Sequence, residues 1–271
     1  MSAERSVVAF VGDMHMHPEG WADIIEALAA IEGLVAVVQV GDFGYRFNLG
    51  YLAFVQAVAA RLGVRVYWID GNHDNHEVIA AARREDWTHP VALWPETAPD
   101  VYHVPRGGVL TLGGYHRFVP GLGETLSECL VEVPLVRILC VGGAVSTDVY
   151  GRKDYLEWWP TEALTMAETY RAMDAAAGRI DIMVCHDVPA GAEPDVAGVV
   201  MRRYNVPTDV QHRAAAHRDA LAEIAAIAQP RLIVHGHHHH RYNGRWKGAR
   251  VIGLGRDGMG ADSWVAIDLE A

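Results

Sequence analysis

Cysteine is scarce: Cys129, Cys140 and Cys185 are the three in 271 residues. An odd number without close pairing excludes a disulfide framework and a thiolate zinc knuckle, and points to a reducing cytoplasm. Long apolar runs are missing too. The run reaching Val40 is broken by Glu32, Gly33 and Gln39, short of the roughly 20 residues a membrane span needs. Met1 to Phe10, with Glu4 beside Arg5, holds no apolar stretch followed by a cleavage site, so no export signal is expected. Positive charge is in deficit, 23 Lys and Arg against 34 Asp and Glu for a net −11. That disfavours a partner such as a long nucleic-acid polymer or an anionic membrane, although a local positive site could still accept an anion. Repeats, low-complexity linkers and composition breaks are absent, so one domain over 1–271 is expected. With 51% hydrophobic and 21% charged residues, the chain can bury a sizeable core. Histidine stands out instead, at 15.

Hydrophobic periodicity predicts an α/β chain. Val7 to Val11, Leu34 to Val40 and Val64 to Ile69 are short apolar runs rich in Val and Ile, the pattern of buried strands. Trp21, Ile24, Ile25 and Leu28, then Leu52, Val55, Val58 and Leu62, repeat at helical spacing, giving βαβαβ with parallel pairing. Val101–Val104, Val109–Leu112, Tyr115–Val119 and Val136–Val141 are short strands divided by Gly and Pro, which suggests a second sheet. Helices are expected over 161–177 and 209–228, the latter opened by a Thr208 to Gln211 capping box and burying Val210, Ala214, His217, Leu221 and Ile224. Strands at Ile180–Cys185, Arg231–His235, Arg250–Leu254 and Trp264–Leu269 complete the chain, with a hairpin turn at Asn243-Gly244 and a surface loop over Asp187–Thr208.

Five polar clusters follow predicted strands: Asp13-Met14-His15, Gly41-Asp42, Gly71-Asn72-His73-Asp74, His186, and Gly236-His237-His238-His239. In open α/β sheets ligands collect beyond the carboxyl ends of the strands, so these clusters should converge. Imidazole, carboxylate and one carboxamide, without thiolates, suit Mn²⁺, Fe or Zn²⁺. Asp13, His15, Asp42, Asn72, His186, His237 and His239 are seven donors, enough for two ions if one carboxylate bridges. Such a pair can clamp the attacking and leaving oxygens of a phosphate ester.

In order and type these clusters resemble the calcineurin-like metallophosphoesterases, with their Asp-x-His, Gly-Asp, Gly-Asn-His-(Asp/Glu), lone His and Gly-His-x-His. The likeness runs from Asp13 to His239. It implies a four-layer α/β/β/α sandwich with two mixed sheets. It further implies that Asp13, His15, Asp42 and His239 hold one metal and Asp42, Asn72, His186 and His237 the other, with Asp42 bridging. His73 would protonate the leaving oxygen and Asp74 would orient the His73 imidazole. The cofactors expected are two divalent ions, Mn²⁺ first, with mixed Fe/Mn or Zn²⁺ as alternatives. The expected activity is phosphoester hydrolysis by a hydroxide held between the ions, on a small phosphodiester such as a cyclic nucleotide or on a phosphomonoester, phosphoproteins included. The contrasting reading is a silent scaffold of this fold that binds partner proteins, although such a scaffold would be expected to have lost ligands or the catalytic His.

Other features receive plainer readings. Gly142-Gly143-Ala144-Val145-Ser146 followed by Trp158-Trp159-Pro160 resembles, more loosely, bacterial and phage-borne members, and names no substrate. Gly253-Leu254-Gly255-Arg256-Asp257-Gly258 fits a dinucleotide fingerprint, but strand-like alternation rather than a helix follows it. In an extended segment His238 and His240 would point away from His237 and His239. Cys185 reads as a small buried strand residue, Arg202-Arg203 as exposed loop arginines and Trp158 and Trp159 as core.

Overall fold

The structure, a computed structural model, describes residues 6–44, 48–83, 87–112, 135–153 and 158–269. The strand expected at Tyr115–Val119 and Cys129 lie outside the described residues. The elements run β1 (Val7–Val11), α1 (Pro18–Ala22), α2 (Ile25–Ala29), β2 (Leu34–Gln39), α3 (Leu49–Leu62), β3 (Arg65–Trp68), α4 (His76–Arg83), β4 (Val101–His103), β5 (Gly108–Leu112) and β6 (Val136–Val141). They continue α5 (Met166–Ala176), β7 (Ile182–Cys185), α6 (Val196–Arg203), α7 (Thr208–Ala228), β8 (Leu232–His235), β9 (Tyr242–Trp246), β10 (Ala249–Gly253) and β11 (Trp264–Asp268).

Two mixed sheets form, in the orders β11-β1-β2-β3-β4 and β5-β6-β7-β8-β10-β9. In the first, β1 to β4 are parallel and β11 lies antiparallel on β1. In the second, β6, β7, β8 and β10 are parallel, with β5 and β9 antiparallel at the edges. The two-residue period of a strand sorts its side chains between layers. Val8 and Phe10 of β1 pack with Val38, Ile138, Cys140, Val184, Val234 and Ile252 between the sheets. Ala9 and Val11 face outward against Trp21, Leu28, Leu52, Val55 and Ile79 from α1 to α4. On the far side, Leu139, Met183 and Ile233 pack on Ala172, Ala197, Leu221 and Ile224 from α5, α6 and α7. The result is the expected α/β/β/α sandwich. Cys140 and Cys185 are buried free thiols, and among the described residues no helix is long and apolar enough to cross a membrane.

Several local expectations are corrected. The helix read through Trp21 to Leu28 is two short helices, α1 and α2. Helix α5 starts at Met166, because the carbonyls of Thr161, Glu162 and Ala163 accept hydrogen bonds from Arg106 instead of joining a helix. Its capping box is Thr165 with Glu168. The box expected at α7 does not form: Pro207 is the N-cap, and Gln211 donates to the Val206 carbonyl. Asn243 and Gly244 lie within β9, and the turn to β10 falls on Lys247 (φ 40°) and Gly248 (φ 95°), the left-handed pair a two-residue hairpin requires. The expected loop after Asp187 contains α6.

Candidate metal centre

Because β1, β2, β3, β7 and β8 end on the same side of the sandwich, the five polar clusters meet there. Their backbones are unusual: His15 (φ 44°), Asp42 (φ 54°), His237 (φ 63°) and His239 (φ 51°) are all left-handed without being glycine. Such strain persists where surrounding structure enforces it, and it gathers at functional sites. Glycine marks the same clusters for a steric reason. A Cβ on Gly71 would collide with the Asp42 carboxylate and the His186 ring, and one on Gly236 with the Asp13 carboxylate. Buried Gln39, at the end of β2, donates to the carbonyls of Gly12 and Gly41 and so ties the first two clusters together.

Asp42 is buried between two imidazole sets. Its Oδ1 is 3.3 Å from His186 Nε2, and its Oδ2 is 3.4 Å from His15 Nε2 and 3.9 Å from His73 Nε2. His239 Nε2 is 3.0 Å from Asp13 Oδ2. Asp13, His15, Asp42 and His239 offer ligand atoms that all lie within 4.8 Å of one another. On the other side, His186 Nε2 is 3.1 Å from the Asn72 carboxamide oxygen, and the His186 ring lies 5.2 Å from that of His237.

Hydrogen bonds behind these side chains decide which atoms face inward. The His186 Nδ1 contact to the Val40 carbonyl at 2.8 Å requires a proton on Nδ1, so the Nε2 of a neutral ring aims a lone pair at two oxygens. His15 does the same, with Nδ1 at 2.9 Å from the Asp257 carboxylate. The Asn72 amide donates to Ser146 Oγ at 3.0 Å, and Ser146 donates to Glu162 at 2.6 Å, which leaves the Asn72 oxygen facing the cluster. Lone pairs converging on one point call for positive charge. Burial alone would depress His15 and His186, but Asp257 and Asp42 about the first, and Asp42 and Asp13 about the second, lift each to about 10. Against its own burial, Asp42 is held well below the usual carboxylate range by His186, His73 and His15. Divalent ions answer the same demand, and the donor set fits them.

Asp74 and His238 are placed differently from the expectation. Asp74 does not reach the His73 imidazole; its two oxygens accept from the backbone N–H groups of Phe43 (3.2 Å), Gly44 (2.7 Å) and Gly71 (2.7 Å). It therefore braces the loops after β2 and β3, where burial and the nearby Asp42 charge push it up to about 7. His73 is instead in contact with Arg152, and burial, Arg152 and His15 depress it. His238 does not point away from His237, since their rings lie 4.8 Å apart, because the left-handed turns at His237 and His239 break the alternation of an extended segment. Its Nε2 lies 2.9 Å from Asp187, and Asp187, His237 and His238 form a second compact group. Arg152, Asp187, Asp257 and Ser146 carried no local signal that tied them to the site. Asp257 lies in the glycine-rich segment after β10, which leads to β11 and not to a helix.

The fold has solved relatives. TT1561 of Thermus thermophilus superposes with a TM-score of 0.55 at 11% identity, over 97% of this chain and 99% of that one. The phosphopantetheinyl hydrolase PptH of Mycobacterium tuberculosis gives 0.51 at 13% identity, over 97% and 96%. At such identities they speak to the fold alone. No curated protein matches the chain. The family model of the calcineurin-like phosphoesterases matches residues 6–241, from the strand before Asp13 past His239, and the chain belongs to that family.

Proposed function

We propose that the chain hydrolyses small phosphoesters, mono- or diesters, at a dinuclear metal centre. The observation that supports this best is Asp42, a buried carboxylate with one oxygen toward His186 and the other toward His15. In this reading Asp13, His15, Asp42 and His239 would hold one ion, and Asp42, Asn72, His186 and His237 the other. Two divalent ions bound there supply Lewis acidity toward phosphoryl oxygens and lower the pKa of water.

The protein's own groups do the rest. Asp257, the Val40 carbonyl and Ser146 fix the inward-facing atoms of His15, His186 and Asn72. Asp74 braces the loops that carry Asp42 and Asn72. His73, at the edge of the cluster and partly exposed, gives a proton to the departing oxygen, and an anionic substrate beside it offsets the depression that burial imposes. Mn²⁺ suits these mixed imidazole and oxygen donors, and reduced buried thiols agree with a cytoplasmic setting.

The test is turnover of nitrophenyl mono- and diesters after chelation and metal return. Activity should vanish in chelator and recover more with Mn²⁺ than with Mg²⁺. Full activity in chelator refutes the dinuclear centre, and two bound Mn²⁺ without turnover of any ester would favour the silent scaffold.

A further inference from the structure

Glu162 is a fully buried carboxylate outside the proposed ligand set. Its Oε1 accepts from the Ser146 N–H at 3.1 Å and from Arg213 Nη2 at 3.2 Å, and its Oε2 accepts the Ser146 hydroxyl at 2.6 Å, the length of a charge-assisted bond. Burial raises the Glu162 carboxyl, and its donors, Ser146 and then Arg213, oppose that rise. A hydroxyl has one hydrogen to give. Once that hydrogen points at Glu162, Ser146 can only accept from Asn72, at 3.0 Å, and the Asn72 oxygen is left facing His186 Nε2 at 3.1 Å. Arg106 holds both ends of this chain. It donates to the Asp70 carboxylate at 2.8 Å, two residues before Asn72, and to the Glu162 carbonyl at 3.0 Å.

Resting on the dinuclear reading above, we propose that Glu162 is a positioning residue for the second ion: it sets the direction of the hydrogen-bond chain and so decides that Asn72 offers oxygen rather than N–H₂. The two ends of a carboxamide have nearly the same shape, so packing separates them poorly, whereas the direction of the chain separates them fully. In Glu162→Gln the side chain keeps its shape, and the Ser146 N–H and Arg213 claim its one oxygen. Its N–H₂ then meets Ser146 Oγ, the Ser146 hydrogen turns to Asn72, and the Asn72 amide rotates to accept it. Binding an ion must turn the amide back and leave the Ser146 hydroxyl hydrogen buried without an acceptor.

Calorimetric Mn²⁺ titration of the chelator-stripped full chain reads the two sites separately. Glu162→Gln should weaken the ion on Asn72, His186 and His237 by about 10- to 100-fold, the scale of one unmet buried donor, and leave the ion on Asp13, His15 and His239 nearly unchanged. Lost negative charge or altered packing would also weaken an ion, so the deciding measurement adds Ser146→Ala. Without the Ser146 hydroxyl the chain is cut, and Glu162→Gln should then cost less than about twofold beyond Ser146→Ala itself. An equal cost with and without Ser146 overturns the proposal, as does unchanged second-site affinity in Glu162→Gln. Ser146→Ala alone removes one atom and serves if Glu162→Gln does not fold: full second-site affinity in it also overturns the proposal. These outcomes, with two Mn²⁺ on the wild type, leave the dinuclear reading standing; a wild type that binds fewer than two defeats that reading and the proposal with it.

Discussion

Removing the Asp257 carboxylate should weaken one metal site and spare the other. Asp257 is 8% exposed and accepts from His15 Nδ1 at 2.9 Å and His17 Nδ1 at 2.7 Å. Despite its burial, these two imidazoles hold it well below the usual carboxylate range. Its backbone N–H donates to the Asp13 carbonyl at 2.7 Å, so the loop stays anchored when the side chain is changed. What is lost is the charged hydrogen bond that keeps the His15 lone pair aimed at the cluster. Such a bond contributes roughly 1.5–3 kcal/mol, and groups behind metal-ligating histidines are commonly worth about 10- to 100-fold in affinity. Asp257→Ala should therefore weaken Mn²⁺ about 100-fold at the set Asp13, His15, Asp42 and His239. Asp257→Asn, which keeps an acceptor without the charge, should weaken it about 10-fold. The second ion, on Asn72, His186 and His237, should be affected only through the shared Asp42. His17→Ala removes one of the two donors to Asp257 from a side chain 58% exposed, and about twofold or less is expected. Calorimetric Mn²⁺ titration of chelator-stripped protein resolves the two sites. Unchanged affinity at both sites in folded Asp257→Ala, or weakening confined to the second, would refute the argument.

Other perturbations have equally definite outcomes. His73→Ala should cut turnover by about 10² to 10⁴ with both ions still present by elemental analysis, and by less for nitrophenolate, which hardly needs a proton. Ser146→Ala frees the Asn72 amide to rotate, so metal titration should show the second site weakened about 10-fold, while Ser146→Thr retains most of the affinity. His238→Ala leaves Asp187 buried without its imidazole; urea unfolding should show a loss of about 3 kcal/mol or more, and a neutral result would contradict the pairing. Buried His217, whose Nδ1 accepts from the Leu164 N–H, is lowered by burial to about 4. Below about pH 6.5 the unfolded chain binds a proton that the folded chain refuses until about pH 4. Stability is therefore lost as pH falls through this window, and His217→Asn should reduce the slope by up to about 1.4 kcal/mol per pH unit in denaturant titrations.

The residue pattern by itself determined the layers. Alternation in β1 separates Val8 and Phe10 from Ala9 and Val11, and helical spacing along α7 buries Val210, Ala214, His217, Leu221 and Ile224. These are local periodicities, and each follows from which side of one element must leave water. The gathering of the seven candidate residues was legible for a related reason: each follows a strand, and parallel strands deliver their ends to one place. Local reading failed where an energy of packing overrode it. Thr208 resembles a capping residue but Pro207 took the position, and Asn243-Gly244 resembles a turn although the turn formed at Lys247 and Gly248. Only the tertiary structure paired His15 with Asp257, 242 positions away, and aligned Asn72 with Ser146 and Glu162. It also turned Asp74 from its neighbour His73 to three backbone amides and laid Arg152 on His73 across 79 positions. Such partners lie in loops whose course is set by how two sheets pack, and no period within a segment encodes what another segment will bring to it.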